Sequence, residues 1–203
     1  DGIRDLVRSR GLGDVYKRQL LAQPVVSSGG KQQIAEVLQY INALYTVYTN
    51  LYVYDKKGEI LAVSNRQEHG IVGQMVDEQT GAFSALRNSD SQRYSVSSFA
   101  RMPFYNNRHT YIYNAAITHL EHKGEVLGGI GIVFDSEPQF KAMLSDVLPR
   151  NEQGEFLDGC FAVFADRKKM ILSVVNRPEL KVGETLAIDD HLFSLKQGQR
   201  RSE

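Results

Sequence analysis

The chain has 203 residues, of which 42% are hydrophobic, and its 24 basic residues are balanced by 24 acidic residues. This length fits one large domain or two small ones. The absence of net charge argues against a nucleic-acid partner, which a basic field would attract. The longest apolar run, at Val126 to Phe134, is too short to span a bilayer and predicts a buried strand. Cys160 is the only cysteine, so it forms neither an internal disulfide nor, alone, a cysteine metal site.

The first 19 residues differ in character from the rest. Ser9 to Gln19 resembles a translated transposase adapter from sequencing-library preparation, with Asp14 to Gln19 encoded by the adapter's end. We therefore expect residues 1–19 to be foreign to the natural protein and exclude them from fold reasoning. On this interpretation the natural start is lost, together with any signal anchor that it held. The alternative is a genuine basic N-terminal tail.

A long entry helix and a β-hairpin are predicted after the Gly29-Gly30 break. Seven apolar residues at spacings of three and four favour one helix face: Ile34, Val37, Leu38, Ile41, Leu44, Tyr45 and Tyr48. Asn50 is expected to end that helix and open a strand. Leu51 to Tyr54 is rich in residues that strands prefer, and Ile60 to Val63 is its return strand. The intervening Asp55-Lys-Lys-Gly58 predicts a tight turn.

Further elements follow in chain order. Met75 to Leu86 predicts a helix, and Pro103 to Asn107 predicts a loop. Three more strands are predicted: Tyr94 to Phe99, Tyr111 to Thr118 and Val126 to Phe134. A helix is expected to begin at Ser136 and Pro138, because proline is tolerated in the first turn, and to end at Pro149.

The pattern then begins again. Val53 to Asn65 and Val163 to Asn176 both give strand, charged turn, strand and asparagine, and Val72-Gly73 and Val182-Gly183 follow at nearly the same distance. Such self-similarity predicts duplicated modules. The alternative is two unrelated hairpins, since charged turns between apolar strands are common. The second copy shows only two strands before the sequence ends.

This order of elements resembles the double Cache family of PAS-like sensor domains, which occur in chemoreceptors, sensor kinases and cyclic-dinucleotide enzymes. The matching features are the entry helix, the Tyr-Asp-x-x-Gly-x-x-x-Ala-x-Ser hairpin at Tyr54 to Ser64, and the Gly-Gly-Ile-Gly-Ile-Val-Phe-Asp strand at Gly128 to Asp135. The likeness covers Ile34 to Leu195 and depends on the order of the motifs together.

The resemblance implies an α+β fold of tandem PAS-like modules, each a central antiparallel sheet flanked by helices. Residues 20–150 would hold the entry helix and a membrane-distal, ligand-binding module, and residues 151–203 an incomplete membrane-proximal one. It also implies a periplasmic sensing domain of a bacterial receptor that is anchored by missing flanking helices and forms a homodimer. No catalytic residue, cofactor or metal is expected in such a domain.

The stretch from Tyr94 to Asp135 offers the groups of a small-molecule pocket. An arginine would clamp a carboxylate, with Arg101 and Arg108 as rivals. Asp135 would accept from an ammonium group, which suits an amino acid or another small carboxylate or amine. Some family members that bind amino acids carry an Arg-x-aromatic-Tyr run. The corresponding run here, Arg101-Met-Pro-Phe104-Tyr105, is one residue longer. The complete candidate set is Tyr94, Arg101, Phe104, Tyr105, Arg108, Tyr111, Tyr113 and Asp135.

Each candidate has a purely structural alternative. Loop arginines are commonly solvated, strand tyrosines are commonly core, and Asp135 would serve equally as the N-cap of the helix at Pro138. His119 and His122, three apart, predict a solvated turn and not the four-residue zinc spacing. Gly128 to Gly131 lies within a strand and is predicted to let a ligand or helix approach the sheet.

Three functions remain open on the sequence alone: a ligand-binding sensor, a ligand-free dimerisation or interaction module, and a small enzyme of PAS-like or GAF-like shape. The first is favoured. The third requires a nucleophile beside a base, and the sequence contains no such pair.

Overall fold

The computed structural model describes residues 30–44, 48–88, 93–102, 105, 107–119, 121–122, 124–134 and 136–188. The adapter-like segment and the candidates Phe104 and Asp135 lie outside these residues. The chain divides into two compact units, one ending at Asp135 and the other beginning at Ser136. The domain boundary suggested by the sequence, at residue 150, differs from this division by one helix, which packs on the second unit's strands.

The first unit is built on a five-stranded antiparallel sheet. Its strands are β1 (Tyr48–Asp55), β2 (Ile60–Val63), β3 (Tyr94–Val96), β6 (Ile112–Thr118) and β7 (Val126–Phe134). Their order is β2-β1-β7-β6-β3. The long β7 lies at the centre, so the predicted buried strand is confirmed. A mixed α/β unit around a central antiparallel sheet agrees with the predicted fold class.

Helix α1 (Gly30–Leu44) covers one face of this sheet. Ile34, Leu38 and Ile41 lie on one side of the helix and pack on Leu51 and Val53 of β1. Burial of each such side chain contributes about 1.5–3 kcal/mol. The predicted helix is confirmed up to Leu44, but Leu44 itself, assigned to the apolar face, is exposed.

The prediction was wrong at the end of that helix. Tyr48 was assigned to its apolar face but is the first residue of β1, paired with Phe134. Spacing alone misled here, because an apolar residue at a strand start continues the helical pattern by coincidence. Asn50 consequently lies inside the strand, opposite Val133, and does not cap the helix.

The opposite face of the sheet is covered by the segment between β2 and β6. It contains two 3₁₀ helices, Arg66–Ile71 and Glu78–Thr80, then α2 (Ala82–Leu86). A two-stranded ribbon follows, formed by β4 (Ala100–Met102) and β5 (Arg108–Thr110). The helix predicted within Met75 to Leu86 is confirmed as α2. The two strands of the ribbon, on either side of the loop predicted at Pro103 to Asn107, were not predicted, since three-residue strands give too short a pattern to detect.

The second unit has helix α3 (Ser136–Val147) and a hairpin of β8 (Ala162–Ala165) and β9 (Ile171–Val175). Leu144 and Leu148 form a small core with Val175. Phe140 contacts Phe164, their ring centroids 5.5 Å apart. Among the described residues, no helix in either unit is long and apolar enough to span a membrane.

The predicted repeat of the hairpin is confirmed by its hydrogen bonds. The Oδ1 of Asp55 accepts from the backbone N–H groups of Lys57 and Glu59 at 2.8 and 2.9 Å. Asp166 accepts in the same way from Lys168 and Met170, also at 2.8 and 2.9 Å.

The match extends to the glycines after each hairpin. Gly73 N donates to Ile60 O, and Gly183 N donates to Ile171 O, both at 2.8 Å. Each first strand also has a register shift two residues before its turn begins, between Val53 and Tyr54 and between Phe164 and Ala165. Val53 therefore corresponds to Phe164, one residue later than the sequence comparison had placed it.

Candidate functional site: the tyrosine face of the first sheet

The sheet face turned away from α1 carries a row of buried polar side chains, which we call the tyrosine face. Side chains alternate along a strand, so Tyr52 and Tyr54 point away from the face that carries Leu51 and Val53. Both tyrosines are fully buried. They are joined by Asn114 of β6, which lies across β7 from Tyr52.

Asn114 is the centre of a buried hydrogen-bond network. Its Oδ1 accepts from the hydroxyl of Tyr54 at 3.2 Å and from that of Tyr52 at 3.5 Å. Its Nδ2 donates to the carbonyl of Thr80 at 2.6 Å. A buried polar group without a partner costs about 1–3 kcal/mol, so this network stabilises the face and ties the Glu78–Thr80 turn to the sheet.

Burial keeps both tyrosines neutral. It raises the pKa of Tyr52, although a hydrogen bond with the Thr80 side chain opposes that rise. It also raises the pKa of Tyr54, to which the neighbouring Tyr52 adds. The tyrosine face therefore offers uncharged hydroxyl and amide groups.

Two glycines of β7 make room for the tyrosine rings. Gly131 lies opposite Tyr52, and Gly129 opposite Tyr54. A Cβ atom at Gly131 would lie 2.2 Å from Tyr52 Cζ, and one at Gly129 would lie 2.4 Å from Tyr54 Cζ. The sequence predicted that these glycines admit a ligand or a helix. The atoms nearest to them are instead those of the neighbouring strand's aromatic rings.

The ribbon β4–β5 contributes the outer wall of the tyrosine face. Met102 and Tyr105 are buried there, packed with Ile112 and Val133. Arg108 pairs with Met102 in the ribbon and therefore lies on the same side of it. Its guanidinium carbon is 4.2 Å from the centroid of the Tyr105 ring, a cation–π contact.

Arg101 lies on the other side of that ribbon. It stands between Ala100 and Met102, which both pack towards the sheet, so alternation directs it outwards, where it is exposed. Its partner across the ribbon is His109, whose ring stacks on Phe99 at 5.5 Å. Arg108 is exposed as well, but of the two rival clamps it is the one whose guanidinium group contacts the buried ring of Tyr105.

Two further candidates lie on the α1 side of the sheet. Tyr113 alternates with Asn114, and Tyr94 pairs with Ala115, which packs in the core beneath α1. Their rings contact each other at 6.0 Å, and burial raises the pKa of Tyr113 to about 12. Tyr111 contacts Phe99 at 5.0 Å. The structure thus brings Tyr105 and Arg108 together and places Tyr94 and Tyr113 elsewhere.

Sequence reasoning missed Tyr52, Tyr54 and Asn114. A signal was present, because tyrosines at positions i and i+2 face glycines at the same spacing in a later strand. The pairing of β1 with β7, some 80 positions along the chain, is decided by the fold, and without it the two patterns have no connection.

The turn predicted at His119 and His122 is confirmed. His119 N donates to Glu125 O at 2.8 Å, and the Nδ1 of His119 accepts from the backbone N–H groups of Glu121 and His122 at 3.1 Å. In the part of the chain that the structure describes, His, Cys, Asp and Glu side chains form no group of three that could hold a metal.

The fold is that of bacterial sensor domains. The chain superimposes on the sensor domain of the V. cholerae histidine kinase DctB, with a TM-score of 0.56 and 17% identity over 86% of this chain and 64% of that one. An extracellular ligand binding receptor from Desulfohalobium retbaense gives a TM-score of 0.67 and 16% identity over 95% of this chain and 32% of that one. The sensory domain of the Campylobacter jejuni chemoreceptor Tlp3 with isoleucine bound gives 0.60 and 14% over 88% and 69%.

These neighbours confirm the predicted resemblance to double Cache sensor domains at the level of the fold. The chain spans less than two thirds of the length of the first two structures. No protein-family model matches the chain, and no curated protein matches it in sequence.

Proposed function

We propose that the first unit is the small-molecule-binding part of an extracytoplasmic sensor domain, belonging to a bacterial receptor of the chemoreceptor or histidine-kinase type. The shared fold supports this role, since the neighbouring structures are sensor and ligand-binding domains. The periplasmic location and the anchoring of the whole receptor in the inner membrane are part of the same proposal.

The observation that carries the proposal is the position of Arg108. It is the cationic side chain that the ribbon presents on the same side as buried Met102, over the ring of Tyr105. A guanidinium group held on an aromatic wall is suited to bind a carboxylate with two parallel hydrogen bonds. Ile112 and Val133, which pack in one cluster with Tyr105, are apolar, so the ligand would be a small carboxylate with an apolar body, such as an aliphatic amino acid.

The proposed mechanism is a population shift. A ligand held between the sheet and the ribbon β4–β5 would favour the conformation in which the ribbon is closed, and the receptor's output would follow that equilibrium. No chemical step is required, so the unit would act as a binding module and not as an enzyme.

The proposal is tested with the full chain and four probes: L-isoleucine, L-valine, 3-methylpentanoate and 2-methylbutylamine. The first two are ligands named for the Tlp3 domain. Compared with isoleucine, 3-methylpentanoate lacks the ammonium group and 2-methylbutylamine lacks the carboxylate group. All ten tyrosines lie between Tyr16 and Tyr113 and there is no tryptophan, so tyrosine fluorescence reports on the first unit. We expect saturable binding and a higher Tm with the carboxylates but not with the amine.

The two arginines of the ribbon provide a matched pair. Arg108→Gln should abolish the gain in Tm, whereas Arg101→Gln, on the other side of the same ribbon, should leave it unchanged. If none of the four probes binds a folded chain, the small-carboxylate sensor is excluded and the ligand-free interaction module is favoured instead. Equal effects of the two substitutions would exclude Arg108 as the clamp.

Self-association through α1 is also proposed. Tyr40 and Leu44 are 66% and 57% exposed, and a spacing of four residues places them on one side of the helix. Neighbouring apolar side chains exposed together on one helix face form the kind of patch that marks an interface, whereas single exposed ones do not. Tyr40→Glu should therefore convert a dimer to a monomer in light scattering, and a monomeric parent chain at high concentration would contradict this part of the proposal.

A further inference from the structure

Asn50 carries a buried hydrogen-bond donor that the fold leaves without a partner. Its side chain is fully buried, and among the described residues its Nδ2 contacts no acceptor. An orphaned buried donor costs about 1–3 kcal/mol, so a folded domain that keeps one is expected to satisfy it in some other way. A bound ligand is one such way.

The orientation of this amide is determined by its oxygen. Asn50 Oδ1 accepts from the backbone N–H of Asn65 at 3.1 Å and from the hydroxyl of Ser64 at 3.0 Å. The backbone N–H can only donate, so the oxygen must face it and the NH₂ group must point the other way. Ser64 Oγ in turn accepts from Leu51 N at 2.8 Å, which fixes the direction of its own proton.

Asn50 lies on the tyrosine face. It alternates with Leu51 and shares its side of β1 with Tyr52 and Tyr54. Its partner on β7 is Val133, which is buried with Met102 and Tyr105 beneath the ribbon. The orphaned donor therefore belongs to the same row of side chains, Asn50, Val133 and Ile112, over which the ligand of the proposed function would lie.

We infer that the Nδ2 group of Asn50 donates a hydrogen bond to the ligand and selects for an acceptor at that end of the molecule. The inference rests on the proposed function and narrows its ligand class. A carboxylate or carbonyl oxygen satisfies the donor, whereas an ammonium group, which can only donate, leaves Nδ2 unpaired. Ligands whose only polar group is an amine are thereby excluded.

Asn50→Asp separates this role from the structural one. The aspartate keeps an oxygen to accept from Ser64 and Asn65 but replaces the donor with a second acceptor, which repels a carboxylate. We expect the affinity for L-isoleucine and 3-methylpentanoate to fall roughly tenfold or more, in line with loss of one charge-assisted hydrogen bond. Ser64→Ala is the control, because it removes the hydrogen bonds that the Ser64 hydroxyl makes with the Asn50 oxygen and with Leu51 N but keeps the Asn50 donor. It should lower Tm with less than about a twofold change in Kd.

A second measurement does not depend on a folded variant. In the wild-type chain, the ¹⁵N–¹H signals of the Asn50 side-chain amide should shift on saturation with L-isoleucine. If isoleucine binds but these signals stay in place, or Asn50→Asp binds as tightly as the wild type, the inference is wrong while the proposed function stands. If none of the four probes binds the wild-type chain, both fail.

Discussion

The two hairpins of this chain share their hydrogen bonds but not their surroundings. Each has an aspartate that accepts hydrogen bonds from two N–H groups of the turn. Each also has a glycine whose N–H donates to the carbonyl of the first residue of the return strand. The first hairpin is extended by β7, β6 and β3 into a five-stranded sheet, whereas the second is a two-stranded sheet within the described residues. The local pattern is thus independent of how much sheet is built beside it.

The side chains of the two hairpins differ where function is proposed. Tyr52 and Tyr54 correspond in register to Val163 and Ala165. The second hairpin therefore places aliphatic groups where the first places buried hydroxyls. Among the described residues, the polar side chains of the proposed site thus belong to the first hairpin and have no counterpart in the second.

The largest predicted effect is alkaline unfolding of the first unit alone. Tyr52 and Tyr54 have pKa values raised above the ordinary value of about 10, and that of Tyr113 is about 12. The folded state holds these protons more tightly than the unfolded state. The contribution of the three tyrosines to the free energy of unfolding is therefore complete below about pH 10 and is lost as the pH rises through their folded pKa values.

Tyrosinate absorbance and circular dichroism, followed together from neutral pH upwards, check this prediction. The second unit has no tyrosine, so its structure should outlast the change in absorbance. The double variant Tyr52→Phe, Tyr54→Phe should move the loss of structure to higher pH. Ionisation of every tyrosine near its ordinary pKa, with the fold intact, would show that the rings are not buried as described.

Gly131→Ala should destabilise the first unit by about 2–3 kcal/mol. The added methyl group would meet the ring of Tyr52, which is fully buried. Gly70→Ala is the control, since no atom lies within 4 Å of its added Cβ. Urea denaturation monitored by tyrosine fluorescence measures both, and similar midpoints would contradict the packing of the tyrosine face.

A smaller contrast is expected between the hairpin turns. Gly58 has φ of +94°, and a Cβ there would lie 3.0 Å from Val76 Cγ2, so Gly58→Ala should cost about 1–2 kcal/mol. At the corresponding Lys169, φ is +64°. Lys169→Gly relieves that strain but loses the bond from Nζ to Ile188 O, so a change below about 0.5 kcal/mol is expected. Thermal unfolding measures the change in stability for both variants. Equal losses would contradict the predicted difference between the two turns.

The smallest effect concerns His109 in the ribbon. Burial and then the nearby Arg101 lower its pKa, so the neutral ring is favoured in the fold. The resulting contribution to the free energy of unfolding is present above the ordinary pKa of about 6.5. It is lost as the pH falls through the lowered pKa of the folded state. Arg101→Gln should raise the pKa of His109 in an NMR titration. Arg108→Gln should leave it unchanged, because Arg108 lies on the other side of the ribbon.

Sequence reasoning succeeded where the information is local and repeated. The apolar spacing of Ile34, Leu38 and Ile41 predicts α1, and the Asp55 to Gly58 turn predicts the first hairpin, because both depend on residues within one or two turns of chain. The repeat was found for the same reason, although its alignment was one residue out. The ribbon β4–β5 was missed because its strands are only three residues long.

The chain by itself determined the longer helices and strands, the duplicated hairpin and the likeness to sensor domains, since hydrophobic period and turn chemistry act over short distances. The tertiary structure decided which side chains meet. It placed Tyr113 on the α1 side and Arg108 over Tyr105, and it brought Asn114 to Tyr52 from 62 positions away. Strand pairing sets which face each residue occupies, and a shift of one residue reverses that face, so a site built across four strands is readable only in the folded molecule.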